Sequence, residues 1–194
     1  MSYLDELSAL GLSKAQIDQL QRFCALLLAW RKTHNVTGVR THEQCMEYVV
    51  DSLLPLSWLS PFTSLLDIGS GGGFPALPLA IARPEASALL VEPIAKKASF
   101  LTLTAIELGL TNVRVVAKRI EEITPFPCDL ITSRAVAKTD TILQLAAPFR
   151  TKETTILLYK GSSVDEETPF EERARIIKQG SRSYLIIEGE DRVS

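Results

Sequence analysis

The amino-acid sequence predicts an α/β fold in which a small N-terminal helical subdomain precedes a mostly parallel sheet with an antiparallel edge hairpin. Residues 1–60 carry apolar side chains at the three- and four-residue spacing of helices. From residue 61 onward, short β-rich runs alternate with helical runs, which is typical of parallel strands joined by crossover helices. We therefore divide the chain into a helical subdomain, residues 1–60, and a sheet domain, residues 61–194.

Two helices of the N-terminal subdomain are predicted by capping-box patterns, in which a hydroxyl residue precedes glutamine by three positions. Ser13 with Gln16 begins the first helix, and Thr41 with Gln44 begins the second. Pro55 should end or kink the second helix, because proline removes a helical hydrogen bond. The composition of residues 34–40 indicates a loop between them. The residues expected on the buried faces are Ile17, Leu20, Cys24 and Leu27 in the first helix and Cys45, Val49 and Leu53 in the second.

The sheet domain should contain five parallel strands and a terminal hairpin. The parallel strands are predicted at 64–68, 88–92, 113–117, 129–133 and 155–159, and helices at 75–82, 96–108 and 139–147. Two further β-like runs, 173–178 and 183–188, are separated by four residues, which favours a hairpin at the sheet edge.

Composition excludes several classes of protein. No apolar run approaches the ~20 residues that a membrane-spanning helix needs, and the N-terminus lacks the pattern of a secretory signal. The net charge of −2 means that any surface for nucleic acid must concentrate its positive charge locally. The cysteines, Cys24, Cys45 and Cys128, lack metal-binding or redox spacing. We therefore expect reduced cysteines, no metal and a cytoplasmic location.

A glycine-rich turn follows the first predicted strand. Gly69, Gly71 and Gly73 alternate there, and Phe74 stands where the dinucleotide-binding fingerprint has its third glycine. This spacing favours S-adenosylmethionine over a dinucleotide. S-adenosylmethionine has no pyrophosphate; it needs a close approach to the backbone and a carboxylate that binds its ribose hydroxyls. Glu92, at the end of the second strand, suits that carboxylate role. The alternative is a glycine turn that only reverses the chain.

Five motifs in this order resemble the RsmG family, also called GidB. They are residues 67–81 (DIGSGGGFPALPLAI), 35–38 (NVTG), His42 with 51–53 (DSL), 133–137 (SRAVA) and 159–161 (YKG). The resemblance implies a Rossmann-like, class I S-adenosylmethionine methyltransferase sheet. It also implies methylation of N7 of a guanine, guanine 527 in the family's reference numbering, in bacterial 16S ribosomal RNA. The expected partner is that RNA or the small ribosomal subunit, and the expected state is a monomer.

The resemblance and the glycine turn together assign the candidate cofactor site. Arg134 is the candidate catalytic residue, which would position the guanine or the cofactor carboxylate; a structural ion pair at the strand end is the alternative role. The cofactor-binding candidates are Asp67, Gly69, Gly71, Phe74, Glu92, Ile120, Glu121 and Arg134. Asp51 is expected to orient His42 or the neighbouring loop.

A compact group of basic residues at the end of the first predicted helix and in the following loop suggests an RNA surface. A solvated helix end, where positive charge favours the helix dipole, explains the same residues equally well. The RNA-binding candidates are Arg31, Lys32, His34, Asn35, Arg40, His42, Lys97 and Lys160.

Three other functions stay open at this stage. They are a methyltransferase for a small molecule or protein, an NAD-dependent oxidoreductase and an inactive RNA-binding module. The absence of an obvious acid–base pair fits methylation of guanine N7, since that atom carries a lone pair and no proton at neutral pH.

Overall fold

The computed structural model describes residues 2–34, 36–134, 138–160, 174–180 and 182–188. Its helices are α1 Tyr3–Ala9, α2 Lys14–Arg31, α3 His42–Leu53, α4 Ala76–Ala82, α5 Ala95–Glu107 and α6 Thr139–Ala146. Its strands are β1 Ser64–Ile68, β2 Ser87–Val91, β3 Val113–Val116, β4 Leu130–Arg134, β5 Thr155–Lys160, β6 Ala174–Gln179 and β7 Arg182–Ile187. Short 3₁₀ turns lie at Leu54–Ser57, Ile120–Glu122 and Ala147–Phe149.

The seven strands form one sheet in the order β3-β2-β1-β4-β5-β7-β6. The first five strands of that order pair in parallel, and β7 is antiparallel to both β5 and β6. The mostly parallel sheet with an antiparallel edge hairpin is therefore confirmed. The bounds of the elements after residue 61 lie within one residue of the prediction, since each follows a clear change in apolar spacing.

The capping predictions are confirmed in part. Ser13 and Gln16 form a complete capping box at the start of α2. Thr41 accepts a hydrogen bond from the amide of Gln44, but the Gln44 side chain accepts from Arg40 at 2.8 Å instead of returning to Thr41. The second box is therefore incomplete, because the chain enters α3 with the Arg40 amide nearer to Gln44. Helix α3 ends at Leu53, just before Pro55, as predicted.

The expectation of reduced cysteines is wrong for two of the three. Cys24 of α2 and Cys45 of α3 are joined in a disulfide, with their Cα atoms 5.7 Å apart. Both helices turn these buried positions toward each other where they pack, and spacing along the chain gives no sign of that contact. Cys128 is free and buried.

The main hydrophobic core crosses the predicted boundary at residue 60. One buried cluster contains Leu20 and Phe23 of α2, Val49 of α3, and also Leu77 of α4 and Leu101 of α5. A second cluster covers the other face of the sheet, where α6 packs on β1, β4, β5 and β7. The helical subdomain and the sheet thus share one core, and the division into 1–60 and 61–194 stays a prediction.

Two contacts bring the helical subdomain onto the glycine turn. The ring of Phe74 is buried against Phe23 of α2 and Tyr48 of α3, with centroid distances of 5.1 and 5.4 Å. The segment 36–39 also lies directly over the turn, so closely that a Cβ atom on Gly72 would stand 3.2 Å from the Cβ of Thr37. Glycine at position 72 therefore permits this close approach.

We predict that Gly72→Ala lowers the free energy of unfolding by roughly 1 kcal/mol, because the added methyl group stands only 3.2 Å from the Cβ of Thr37. Gly38→Ala is the matched control, since a Cβ atom there would meet no atom within 4 Å. Urea unfolding of both variants measures the effect. Equal stability of the two variants would show that the turn and the segment do not press on each other.

Candidate cofactor site and adjoining cavity

A cavity of about 410 Å³ opens at the carboxyl ends of β1, β4 and β5. Its walls are the glycine turn, the segment 36–39, two side chains of α3, Tyr48 and Asp51, and Arg134, Tyr159 and Lys160 at the strand ends. Parallel α/β sheets bind their ligands at this edge. The cavity thus lies where the sequence places the cofactor and the reaction.

The glycine turn has backbone φ angles that residues other than glycine rarely adopt. Gly69, Gly71 and Gly73 have φ angles of 74°, 52° and 95°. At Gly73 a Cβ atom would also come within 2.7 Å of the Leu77 side chain. These glycines therefore let β1 turn sharply into α4 and leave the backbone open to a ligand.

The start of α4 is poorly suited to a pyrophosphate. Such a group needs several free amides in the first turn of the helix. Pro75 and Pro78 have no amide hydrogen, and the amide of Leu77 donates to the carbonyl of Gly73 at 2.8 Å. This arrangement fits S-adenosylmethionine, which carries no phosphate, and it counts against a dinucleotide cofactor.

Glu92 lies directly after β2 and supports the glycine turn. Its carboxylate is buried and accepts hydrogen bonds from the amides of Gly71, at 2.8 Å, and Ile94, at 2.9 Å. It therefore stands beside the turn but not among the residues that line the cavity. A contact with the ribose of the cofactor stays a prediction.

Asp67, the last residue but one of β1, is almost completely buried, with an exposed fraction of 1%. Its Oδ1 accepts a hydrogen bond from Thr132 at 2.6 Å, and its Oδ2 is buried without a partner in the described part of the chain. Burial raises the pKa of Asp67 to about 7, which the hydrogen bond from Thr132 opposes and the nearby Glu92 assists. Asp67 does not line the cavity, and its contact with the cofactor stays a prediction.

Arg134 leaves the end of β4 and pairs with Asp51 of α3. Both side chains have an exposed fraction of 16%, and the guanidinium lies 5.0 Å from the ring centres of both Tyr48 and Tyr159. Burial lowers the pKa of Arg134 from its ordinary value. Its Nε atom is buried and has no hydrogen-bond partner among the described residues. The arginine thus makes a structural ion pair and also lines the cavity, so the two predicted roles do not exclude each other.

Asp51 does not take the role expected for it. Besides Arg134, its carboxylate accepts a hydrogen bond from the Tyr184 hydroxyl at 2.7 Å and lies 3.8 Å from Nε of Arg182. These partners come from β4 and β7, whereas His42 is an exposed residue at the other end of α3. The side chain of Asp51 therefore joins α3 to the sheet instead of orienting His42.

The other predicted residues are not all brought to the cavity. Ile120 is buried and Glu121 is exposed, and neither lines the cavity. Of the RNA-binding candidates, Lys160 lines the cavity and donates to the Thr139 hydroxyl at 2.7 Å. Candidates away from the lining are His34, which packs against Trp30, the exposed Lys32, Arg40 and His42, and the half-buried Arg31 and Lys97. Asn35 and residues 135–137 of the predicted motifs, like Gly161, lie outside the described residues.

Neither a metal cluster nor a membrane helix is found in the described part of the chain. No group of three or more His, Cys, Asp or Glu side chains there is arranged to hold a metal ion. No described helix combines the length and the hydrophobicity that a bilayer crossing requires.

We predict that Asp67→Asn gains stability relative to the unsubstituted protein as the pH rises from about 4 to about 7. Since the folded pKa is about 7 and the ordinary value is 3.8, folding retains a proton in this window, and the unsubstituted protein loses that stability as the pH rises. The difference in free energy of unfolding should grow by about 2–4 kcal/mol. Urea unfolding at several pH values measures it, and a difference independent of pH would contradict the raised pKa.

Comparison with known proteins shows a family match over most of the chain. The family described as GidB, rRNA small subunit methyltransferase G, matches residues 16–192. Ribosomal RNA small subunit methyltransferase G of Wolinella succinogenes is 47% identical over 173 residues, covering 84% of this chain and 90% of the relative. The protein of the same name from Helicobacter hepaticus is 46% identical over 147 residues, covering 74% and 79%.

Solved structures with low sequence identity share the fold. The cofactor-bound protein Rv0187 from MTB superposes with a TM-score of 0.65 at 17% identity, covering 88% of this chain and 91% of that one. A putative methyltransferase, yhhF, from Escherichia coli gives a TM-score of 0.58 at 17% identity, covering 73% and 87%. The sheet is thus that of class I methyltransferases. The sequence match to the GidB family is more specific than this shared fold. The chain belongs to the GidB family of S-adenosylmethionine-dependent methyltransferases, described as rRNA small subunit methyltransferase G.

Proposed function

We propose that this protein transfers the methyl group of S-adenosylmethionine to N7 of a guanine in 16S ribosomal RNA, at the position that the family numbers 527. The observation that carries the proposal is the 47% identity, over 84% of the chain, to a relative named ribosomal RNA small subunit methyltransferase G. The glycine turn and the cavity beside it support the cofactor part. The cavity lies beyond the turn, toward β4 and β5, where a methyl acceptor can reach the donor.

The proposed methyl transfer requires no proton transfer by the protein. S-adenosylmethionine supplies an electrophilic methyl carbon when it is bound. The N7 lone pair forms the new bond to that carbon as the bond from carbon to sulfur breaks, and sulfur keeps the electron pair. Because N7 has no proton to lose, no general base is needed. The side chains around the cavity therefore act by holding N7, carbon and sulfur in line.

Arg134 has the right chemistry to hold the guanine or the cofactor carboxylate. Its guanidinium faces the cavity between two tyrosine rings, and its unpartnered Nε is a buried donor. A planar guanidinium with a fixed direction suits two parallel hydrogen bonds to the cofactor carboxylate, or one to O6 of the guanine, which leaves the N7 lone pair free to react. The ion pair with Asp51 fixes that direction.

The remaining parts of the proposal concern the setting of the reaction. We infer that the protein acts as a monomer in the cytoplasm, without a metal. The cationic residues at the end of α2 and around Arg40 would then contact phosphates of the RNA outside the cavity.

We predict that the protein transfers labelled methyl groups from S-adenosylmethionine to isolated small ribosomal subunits or to 16S RNA. Mapping of the label should place it on N7 of a single guanine. Parallel reactions with protein and small-amine acceptors are the controls. Label in either acceptor, with none in the RNA, would contradict the proposed substrate. Thermal stabilisation by NAD equal to that by S-adenosylmethionine would contradict the cofactor.

We predict that Arg134→Ala lowers kcat/KM for RNA about 100-fold, because the reacting atoms lose their alignment. Asp51→Asn is the comparison, since it removes the partner's charge but keeps an amide oxygen that can accept from the guanidinium and hold its direction. Arg134→Ala should cost at most about 3 kcal/mol of stability, because Asp51 loses its nearest cation but keeps Tyr184 and Arg182, and Asp51→Asn should cost a similar amount or less. Steady-state kinetics and urea unfolding measure the two effects. Equal losses of activity would leave Arg134 with a structural role only.

A further inference from the structure

One aromatic ring stands partly exposed in the wall that the helical subdomain contributes to the cavity. Tyr48 of α3 lines the cavity with 43% of its surface exposed, whereas Tyr159 and Tyr184 beside it are buried. The apolar body of a tyrosine that faces an open cavity is available to a ligand. The roles described so far for the glycine turn and the ion pair give no function to the exposed part of the Tyr48 ring.

The position of the Tyr48 ring is fixed by its neighbours. Phe74 of the glycine turn packs against it at a centroid distance of 5.4 Å, and the guanidinium of Arg134 lies 5.0 Å from its centre. Arg134 is in turn held by Asp51, which lies on the same helix. The ring is therefore held in one orientation, and stacking of an aromatic ligand on it would cost little conformational entropy of the Tyr48 side chain.

The order of the strands indicates which ligand meets this ring. Glu92, the predicted ribose acceptor, follows β2, on one side of β1. Tyr48 shares the cavity with the ends of β4 and β5, on the other side of β1. With Glu92 holding the ribose, the adenosine part of the cofactor would lie toward β2, and the Tyr48 side of the cavity would be left for the methyl acceptor.

We propose that Tyr48 is a specificity-determining residue whose ring stacks on the target base of the RNA. The inference rests on the proposed function, because it needs a base as the methyl acceptor. RNA-modifying proteins read unpaired bases by stacking them on aromatic rings and on arginine planes. Enzymes that modify a base also move it out of its stack, and a ring in the pocket replaces the lost stacking. Tyr48 and Arg134 together supply such a surface next to the glycine turn.

Two substitutions separate the ring from the rest of the side chain. Tyr48→Phe keeps the ring, and Tyr48→Leu removes it while leaving an apolar side chain against Phe74. Tyr3→Leu is the matched control, because Tyr3 is a tyrosine of α1 that contacts α3 through Glu47 and does not line the cavity. The protein is assayed with labelled S-adenosylmethionine and small ribosomal subunits or 16S RNA, whichever the unsubstituted protein methylates.

We expect Tyr48→Leu to lower kcat/KM for the RNA about 10- to 100-fold, which is the range that loss of one base–aromatic stack produces. Tyr48→Phe and Tyr3→Leu should stay within about threefold of the unsubstituted protein. The Kd of S-adenosylmethionine, measured by calorimetry without RNA, should be the same for all four proteins. Urea unfolding shows whether Tyr48→Leu is folded, so that a loss of stability is not taken for a loss of stacking.

Each other result overturns the proposal in a recognisable way. If Tyr48→Leu raises the Kd of S-adenosylmethionine and leaves the kinetics with saturating cofactor unchanged, the ring serves the cofactor. If all variants methylate the RNA equally, the ring has no part in base recognition. If the unsubstituted protein methylates no RNA, the proposed function itself fails and the stacking proposal fails with it.

Discussion

The ion pair between Asp51 and Arg134 decides how the two parts of this protein meet. Removing two charges from water is costly, and the cost is offset only when the partners stay in good geometry. Here the pair joins α3 to the end of β4, and the hydroxyl of Tyr184 extends it to β7. Helix α3 therefore has one favourable position over the sheet edge. The Tyr48 ring, one turn before Asp51 on that helix, takes its place over the cavity as a consequence.

The glycine turn imposes a second constraint from the sheet side. Its positive φ angles let β1 turn into α4, and Phe74 then packs into the helical subdomain. Two prolines remove amides from the first turn of α4. The same short stretch thus disfavours a pyrophosphate and holds the subdomain on the turn, so cofactor choice and subdomain packing are not independent.

Local sequence patterns predict the helices and strands, but they do not predict contacts between residues that are far apart in the sequence. Strand and helix bounds after residue 61 follow from apolar spacing and glycine punctuation, which act over a few residues. Helix α1 was missed, because its capping box uses Asp5 where the common pattern has Glu or Gln. The Cys24–Cys45 disulfide and the partners of Asp51 depend on packing between elements, which no spacing records. Tyr48 gave no signal, since one exposed aromatic on a helix is ordinary.

The geometry also answers how an acidic chain can recognise RNA. Phosphate contacts depend on basic side chains, and the 21 Lys and Arg residues of this chain are outnumbered by 23 Asp and Glu residues, so positive charge can dominate only locally. Stacking and hydrogen bonds to a base need no net charge, because each base has a flat face and polar edges. A cavity with one arginine, one lysine and an exposed tyrosine ring therefore allows recognition through the base itself. Under the proposed function, the basic group at the end of α2 and in the following loop would need only to orient the RNA, which is the role that phosphate contacts usually have.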